Sequence, residues 1–212
     1  MRAASPALVV LGVESLVVRR GGRPVIAKLS LEVGAGEVLG IIGKNGCGKS
    51  TLLMAIAGVL EPTAGRITIG GANVWGSAQQ RRASRRALGY VPENADPPGF
   101  LLGGELWALC AASRGVAGPS DAVTAALGLD ELRDLSLERM SLGQRRRACL
   151  GAALVGPPEL LVLDEPDNGL DAKRLGALGE LVVAHCAEKH SAIVATHDRD
   201  LLTRIAARIV EL

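Results

Sequence analysis

Val38-Leu-Gly-Ile-Ile42 is an unbroken apolar run that leads straight into Gly43-Lys-Asn-Gly-Cys-Gly-Lys-Ser50. An uninterrupted run of this kind fits a strand buried on both faces, as at the centre of a parallel sheet. The glycines behind it let the chain turn tightly with several backbone N–H groups aimed into one hollow. A helix expected from Ser50 to Gly58 adds the partial positive charge of its N-terminus. Leu52, Leu53 and Ile56 give that helix an apolar side, and Gly58 stops it. Strand, glycine loop and helix in this order match G-x-x-x-x-G-K-[ST], a cradle for phosphate. Gly43, Asn45, Gly46, Cys47, Gly48 and Thr51 belong to the cradle. Lys49 is expected at the β- and γ-phosphates of a nucleotide, and the Ser50 hydroxyl at Mg²⁺.

The rest of the chain reads as alternating β and α units. Leu29–Val33 and Arg66–Ile69 alternate apolar and polar residues, the period of half-buried, early antiparallel strands. Residues 77–87 form a polar, Arg-rich helix before a short strand at Leu88–Val91. Pro92, Pro97, Pro98 and Gly99 then force a loop. Helical spacing covers 104–128 in two pieces, and again 142–154 until Pro157-Pro158 ends it. A second buried strand at Leu160–Leu163, a helix at 172–188, a strand at Ala192–Ala195 and a helix at 199–207 follow. The expected fold is α/β: a P-loop NTPase with a mostly parallel central sheet, an antiparallel β part on its N-terminal side and a helical insertion. Residues 1–212 form one domain, with a core at about 1–91 and 158–212 and a helical subdomain at about 92–157.

Aromatic residues make up only 2% of the chain, so its core must be built from Ala, Val, Leu and Ile. The net charge of +2 argues against a generally basic nucleic-acid binder. Cys47, Cys110, Cys149 and Cys186 lie far apart and without His at ligand spacing, which fits a reducing cytoplasm better than a zinc site or a disulfide framework. The early apolar stretch from Ala7 to Val18 is broken by Glu14 and reads neither as a secretion signal nor as a spanning helix. At a membrane, such a chain must borrow another subunit's helices.

Two further groups carry chemistry. Asp164 and Glu165 follow the strand 160–163. In a P-loop fold a carboxylate there reaches Mg²⁺ and its neighbour sits beside the γ-phosphate, where it can polarise a water. The same pair could also simply cap the loop beyond the strand. Met140-Ser-Leu-Gly-Gln144 opens a helix and offers a hydroxyl and unpaired N–H groups, an anion site or, taken alone, an ordinary N-cap.

Together these residues resemble the ATP-binding subunit of ATP-binding-cassette (ABC) transporters over nearly the whole chain. Gly43–Ser50 resembles the Walker A motif of that family, Met140–Gln144 its L-S-G-G-Q signature, and Leu160–Glu165 its Walker B with the catalytic glutamate. Asn168-Gly-Leu-Asp171 resembles the D-loop and Thr196-His197-Asp198 the switch-histidine segment. The resemblance implies an ATPase with ATP and Mg²⁺ as cofactors. It also implies a head-to-tail dimer, a second copy in preference to a different subunit, in which ATP on one chain is closed by Ser141, Gly143 and Gln144 of the other. His197 would contact the γ-phosphate, and Asp171 would tie the halves together. The chain would sit peripherally at the cytoplasmic face of the membrane on a separate integral subunit, docked near loop 94–102, where Phe100, Leu101 and Leu102 are expected to be exposed.

Two positions depart from the family pattern. Arg19-Arg20 stands where an adenine-stacking aromatic is usual, leaving the Arg20 guanidinium plane for that role. Tyr90-Val-Pro-Glu93 carries Glu for the usual Gln, and Glu93 is expected to serve at Mg²⁺. The absence of a further C-terminal domain after Leu212 favours an exporter. The rivals are a soluble cassette ATPase of DNA repair or translation and a nucleotide kinase. Only about a hundred residues separate the phosphate loop from the signature, too few for a long coiled-coil insertion, and a kinase leaves the signature and D-loop unexplained. The Arg runs at 81–86 and 145–147 are expected on solvated helix faces.

Overall fold

A computed structural model describes residues 8–212. Its strands are β1 (Val9–Arg20), β2 (Arg23–Gly34), β3 (Val38–Ile42), β4 (Ala64–Ile69), β5 (Ala72–Asn73), β6 (Leu88–Val91), β7 (Leu160–Asp164), β8 (Ser191–Ala195) and β9 (Arg208–Glu211). Its helices are α1 (Lys49–Ile56), α2 (Ala78–Arg86), α3 (Gly103–Arg114), α4 (Asp121–Leu127), α5 (Leu142–Ala153), α6 (Ala172–Ala187) and α7 (Arg199–Arg204). The α/β fold with a parallel sheet and an N-terminal antiparallel sheet is as the sequence predicts. The parallel sheet runs β6-β7-β8-β3-β9, and the antiparallel one β2-β1-β4-β5.

Why β3, β7 and β8 are almost wholly apolar is visible in where alternate residues go. Val38, Ile42, Leu161, Leu163, Ala192 and Val194 face a core shared with α3 to α7. Leu39, Ile41, Leu160, Val162, Ile193 and Ala195 face a second core, shared with α1 and the antiparallel sheet. Each large aliphatic side chain so buried contributes about 1.5–3 kcal/mol. Apart from Ser191, whose hydroxyl donates to the Gly34 carbonyl at 2.7 Å, these strands carry no polar residue until their C-terminal ends, where the polar side chains of the site begin. In the helical part Trp107 is buried and donates its indole N–H to the Ala148 carbonyl at 2.9 Å, pinning α3 to α5.

Three expectations need correcting. β1 was read only as an interrupted apolar stretch, whereas it is a twelve-residue strand. Ser15 sits at φ 46° in a register shift between Val13 and Leu16, so the alternation that marks a strand loses phase there. Glu14 faces solvent at this irregularity. β2 begins at Arg23, well before Leu29. β9 was not anticipated; four residues at the sheet's edge, with Arg208 and Glu211 exposed, carry little apolar signal, yet they pair in parallel with β3.

Candidate nucleotide site and family

Helix α1 is preceded by Gly48, which adopts the left-handed φ of 112° that an L side chain rarely takes. A Cβ there would also lie 3.0 Å from both Ile26 and Val25 side chains beneath it. No side chain caps this helix, so its first N–H groups are left for an anion. Lys49, 7% exposed, extends back over the loop and donates to the Gly43 carbonyl at 3.1 Å. Its ammonium lies 3.8 Å from Glu165 Oε1 and 3.2 Å from His197 Nε2, and His197 Nε2 is 3.2 Å from the same carboxylate oxygen. Three segments far apart in sequence thus converge on one point.

Glu165 reaches that point by leaving β7 with φ at 45°, a costly conformation for a residue with a side chain. Its N–H donates to Ala195 at 2.7 Å, which secures the kink to β8. Burial raises the carboxyl's pKa, and the neighbouring His197 and Lys49 pull it back. Such a carboxylate is more basic than one in water, as a proton acceptor should be. Burial likewise raises the pKa of Asp164, against a hydrogen bond from the Ser50 hydroxyl. Asp164 Oδ1 is buried with no partner. An unpaired buried carboxylate oxygen beside a serine hydroxyl is the donor set that a hard divalent cation fits. Ser50, Asp164 and Glu93 would hold Mg²⁺ here.

The surrounding cavity measures about 540 Å³, the size for a nucleotide. Arg20, Asn45, Gly46, Gly48, Lys49, Ser50, Thr51, Glu93, Glu165 and His197 all line it. Cys47 does not; its sulfur packs against Gly43, where a Cβ would meet it at 2.6 Å. Asp167 was missed in the sequence. It lines the cavity and accepts a 2.6 Å hydrogen bond from Thr196, holding the loop after Glu165 to the segment that carries His197.

The signature end lies elsewhere. Ser141 caps α5 reciprocally with Gln144: its hydroxyl accepts from the Gln144 N–H at 3.3 Å, while the Gln144 side chain accepts from the Ser141 N–H at 2.9 Å. Gly143 lies so close to the loop at 169 that a Cβ would fall 2.3 Å from the Gly169 carbonyl oxygen. Leu142, at the position where L-S-G-G-Q has glycine, is 72% exposed. Asp171 caps α6 by accepting from the Arg174 N–H at 2.7 Å. None of Ser141, Gly143, Gln144 and Asp171 lines the phosphate cavity.

Residues 26–168 match the family model described as ABC transporter. The chain belongs to the ABC transporter family. The relatives that match most of this chain are ATP-binding proteins of that family. A putative ABC transporter ATP-binding protein of Streptomyces avermitilis is 37% identical over 98% of this cassette and 37% of its own length. The chain thus spans little more than a third of that relative. The cytochrome c biogenesis ATP-binding export protein CcmA of Pseudomonas putida is 36% identical over 86% of each chain. The cobalt import ATP-binding protein CbiO of Rhodobacter capsulatus is 35% identical over 89% of this chain and 70% of its own. A solved ATP-binding subunit of an ABC transporter superposes with a TM-score of 0.88 at 26% identity, covering 96% of this chain and 85% of that one.

Two surface expectations of the sequence change. In loop 94–102, Phe100 is 75% exposed, but Leu101 and Leu102 are half-buried, and Leu101 packs on the helical core. The Arg run 145–147 is not a solvated face. Arg147 donates to Glu131 at 2.6 Å and to the Leu127 carbonyl at 2.9 Å. Arg146 is buried.

Proposed function

We propose that this cassette works as one of two facing copies, each closing the nucleotide on the other, and drives a separate integral membrane subunit from the cytoplasmic face of the membrane. The observation that carries this reading is the separation of the two ends. The phosphate cavity is lined by Lys49, Ser50, Glu165 and His197 but by none of Ser141, Gly143 and Gln144, and the helix N-terminus that carries Ser141 is exposed. A second copy placed head to tail satisfies both at once, with its Ser141, Gly143 and Gln144 over the γ-phosphate.

In that closed site the α1 N-terminus and Lys49 would bind the phosphates, and Arg20 would border the base. Bound Mg²⁺, held by Ser50, Asp164 and Glu93, would neutralise charge on the phosphate oxygens. Glu165 would take the proton of a water whose oxygen attacks the γ-phosphorus, while the bond to the β–γ bridging oxygen breaks and ADP leaves. His197, within hydrogen-bond reach of Glu165 and Lys49, would orient the transferred group. Loss of the γ-phosphate removes the bridge between copies, so the closed state loses its advantage.

The membrane subunit is supported by a largely apolar groove of about 330 Å³ lined by Tyr90, Pro92, Pro97, Leu106 and Cys110, and by the exposed Phe100 of the same loop region. Among the described residues no helix is long and apolar enough to cross a membrane. We take the direction to be export, on the likeness to an export protein over most of both chains. The import relative matches almost as well, which makes direction the detail to test with oriented vesicles. Purifying the tagged chain from detergent-solubilised membranes should bring with it a multi-spanning protein. Ribosomes or DNA-repair proteins in its place would overturn the reading.

A further inference from the structure

We propose that Arg146 is a positioning residue for hydrolysis, one guanidinium that locks the loop bearing Glu93 and the loop bearing Asp164 and Glu165 to helix α5. Its Nη1 donates to the Pro92 carbonyl at 2.6 Å and to the Glu93 carbonyl at 3.2 Å. Its Nη2 donates to the Asp164 carbonyl at 2.5 Å and to the Glu165 carbonyl. The side chain is 5% exposed and forms no ion pair at salt-bridge distance among the described residues. Its positive charge is met by main-chain carbonyls, with the carboxylates of Asp164, Asp167 and Glu93 nearby.

A buried cation is costly unless hydrogen-bonded, and here the bonds all fall on two loops that hold functional side chains. β6 ends at Val91 and β7 at Asp164, and beyond these ends the parallel ladder no longer ties the loops together. Arg146 replaces the ladder there. The planar fork reaches two acceptors from each loop at once, which a lysine's point charge cannot do with the same geometry. Glu165 sits in a strained left-handed conformation, and such a conformation persists only when its surroundings over-determine it. The Glu165 carbonyl accepts from Arg146 and from the Asn168 N–H at 3.2 Å, and the Glu165 N–H donates to Ala195, so the residue is held on both sides.

Arg146 stands on the same helix that Ser141 caps, so displacement of α5 by an engaged partner would move both loops together. The metal-side carboxylates and the proton acceptor would then respond to one event. The inference deepens the hydrolysis reading and rests on it.

The test uses the full chain with Arg146→Lys and Arg146→Gln. Equilibrium binding of a fluorescent ATP analogue, kcat and KM, and amide hydrogen exchange at Glu93, Asn94 and Glu165 are measured in each. Nucleotide affinity and KM should stay within about threefold, because phosphate binding belongs to α1 and Lys49. kcat should fall about tenfold to a hundredfold, the scale on which small misplacements act. Exchange should quicken at these amides, and the lysine variant should not rescue turnover. Unchanged kcat and unchanged exchange in the lysine variant would overturn the proposal, as would affinity and kcat falling together by the same factor. A wild-type chain that binds Mg·ATP but never turns it over would count against hydrolysis instead, and the exchange data would still decide the role of Arg146.

Discussion

The phosphate cradle and the signature end are both built around the start of a helix, but they are finished differently. At α1 no side chain caps the helix, Lys49 is buried, and Glu165 and His197 close in from two other strands. At α5 the cap is satisfied within the chain by Ser141 and Gln144, the surface is open, and Leu142 projects into solvent. An uncapped helix start surrounded by counter-groups is a binding site in waiting. A self-capped, exposed one is a surface, and it gains a ligand only when another molecule supplies one. On the proposed reading, these two unlike helix starts are the halves of one site.

Changes to the cradle should stop chemistry from within, and changes to the signature should stop it only through the partner. The largest effect is expected from Glu165→Gln, which keeps the shape but removes the basic oxygen. Turnover should fall by about 10²–10⁴, the usual worth of a positioned general base, with ATP still bound. Stopped-flow or steady-state phosphate release checks this, and a loss of binding equal to the loss of turnover would blur the two halves into one.

Next comes Gly143→Ala, whose new methyl meets the Gly169 carbonyl oxygen and must push α5 away from the loop before Asp171. Turnover should drop about tenfold or more with ATP affinity of the single chain unchanged, because a misplaced donor is costly only where it touches the reacting group. Weaker nucleotide binding by the isolated variant would show that the signature serves its own cradle. The smallest effect is expected from Glu93→Gln: the carbonyl oxygen can still face Mg²⁺, so kcat should stay within about threefold. Complete loss would mean that the Glu93 charge itself is required.

The cradle was legible because phosphate binding needs glycines, a lysine and a hydroxyl in consecutive places between a strand and a helix, and sequence order preserves all of that. Asp164 and Glu165 were legible for the same reason. Asp167 was not, because its role depends on Thr196 across the sheet end. Arg146 was hidden in a run of three arginines. Successive helical residues point about 100° apart, so the three reach different partners and only Arg146 is fully buried, which composition cannot say. β1 lost its period at the irregularity around Ser15, and β9 is too short and too polar at its ends to show one.

Mixing two inactive variants tests the shared site most directly. Lys49→Ala removes the cradle's cation and leaves the signature intact, while Ser141→Arg blocks the signature and leaves the cradle intact. Each alone should be nearly inactive. If one cradle is completed by the other chain's signature, an equal mixture should regain about a quarter of wild-type phosphate release, since random two-fold pairing restores one site in half of the dimers. A Ser141→Arg chain that turns over ATP at the wild-type rate by itself, or a mixture that gains nothing over its components, would contradict a site divided between two copies.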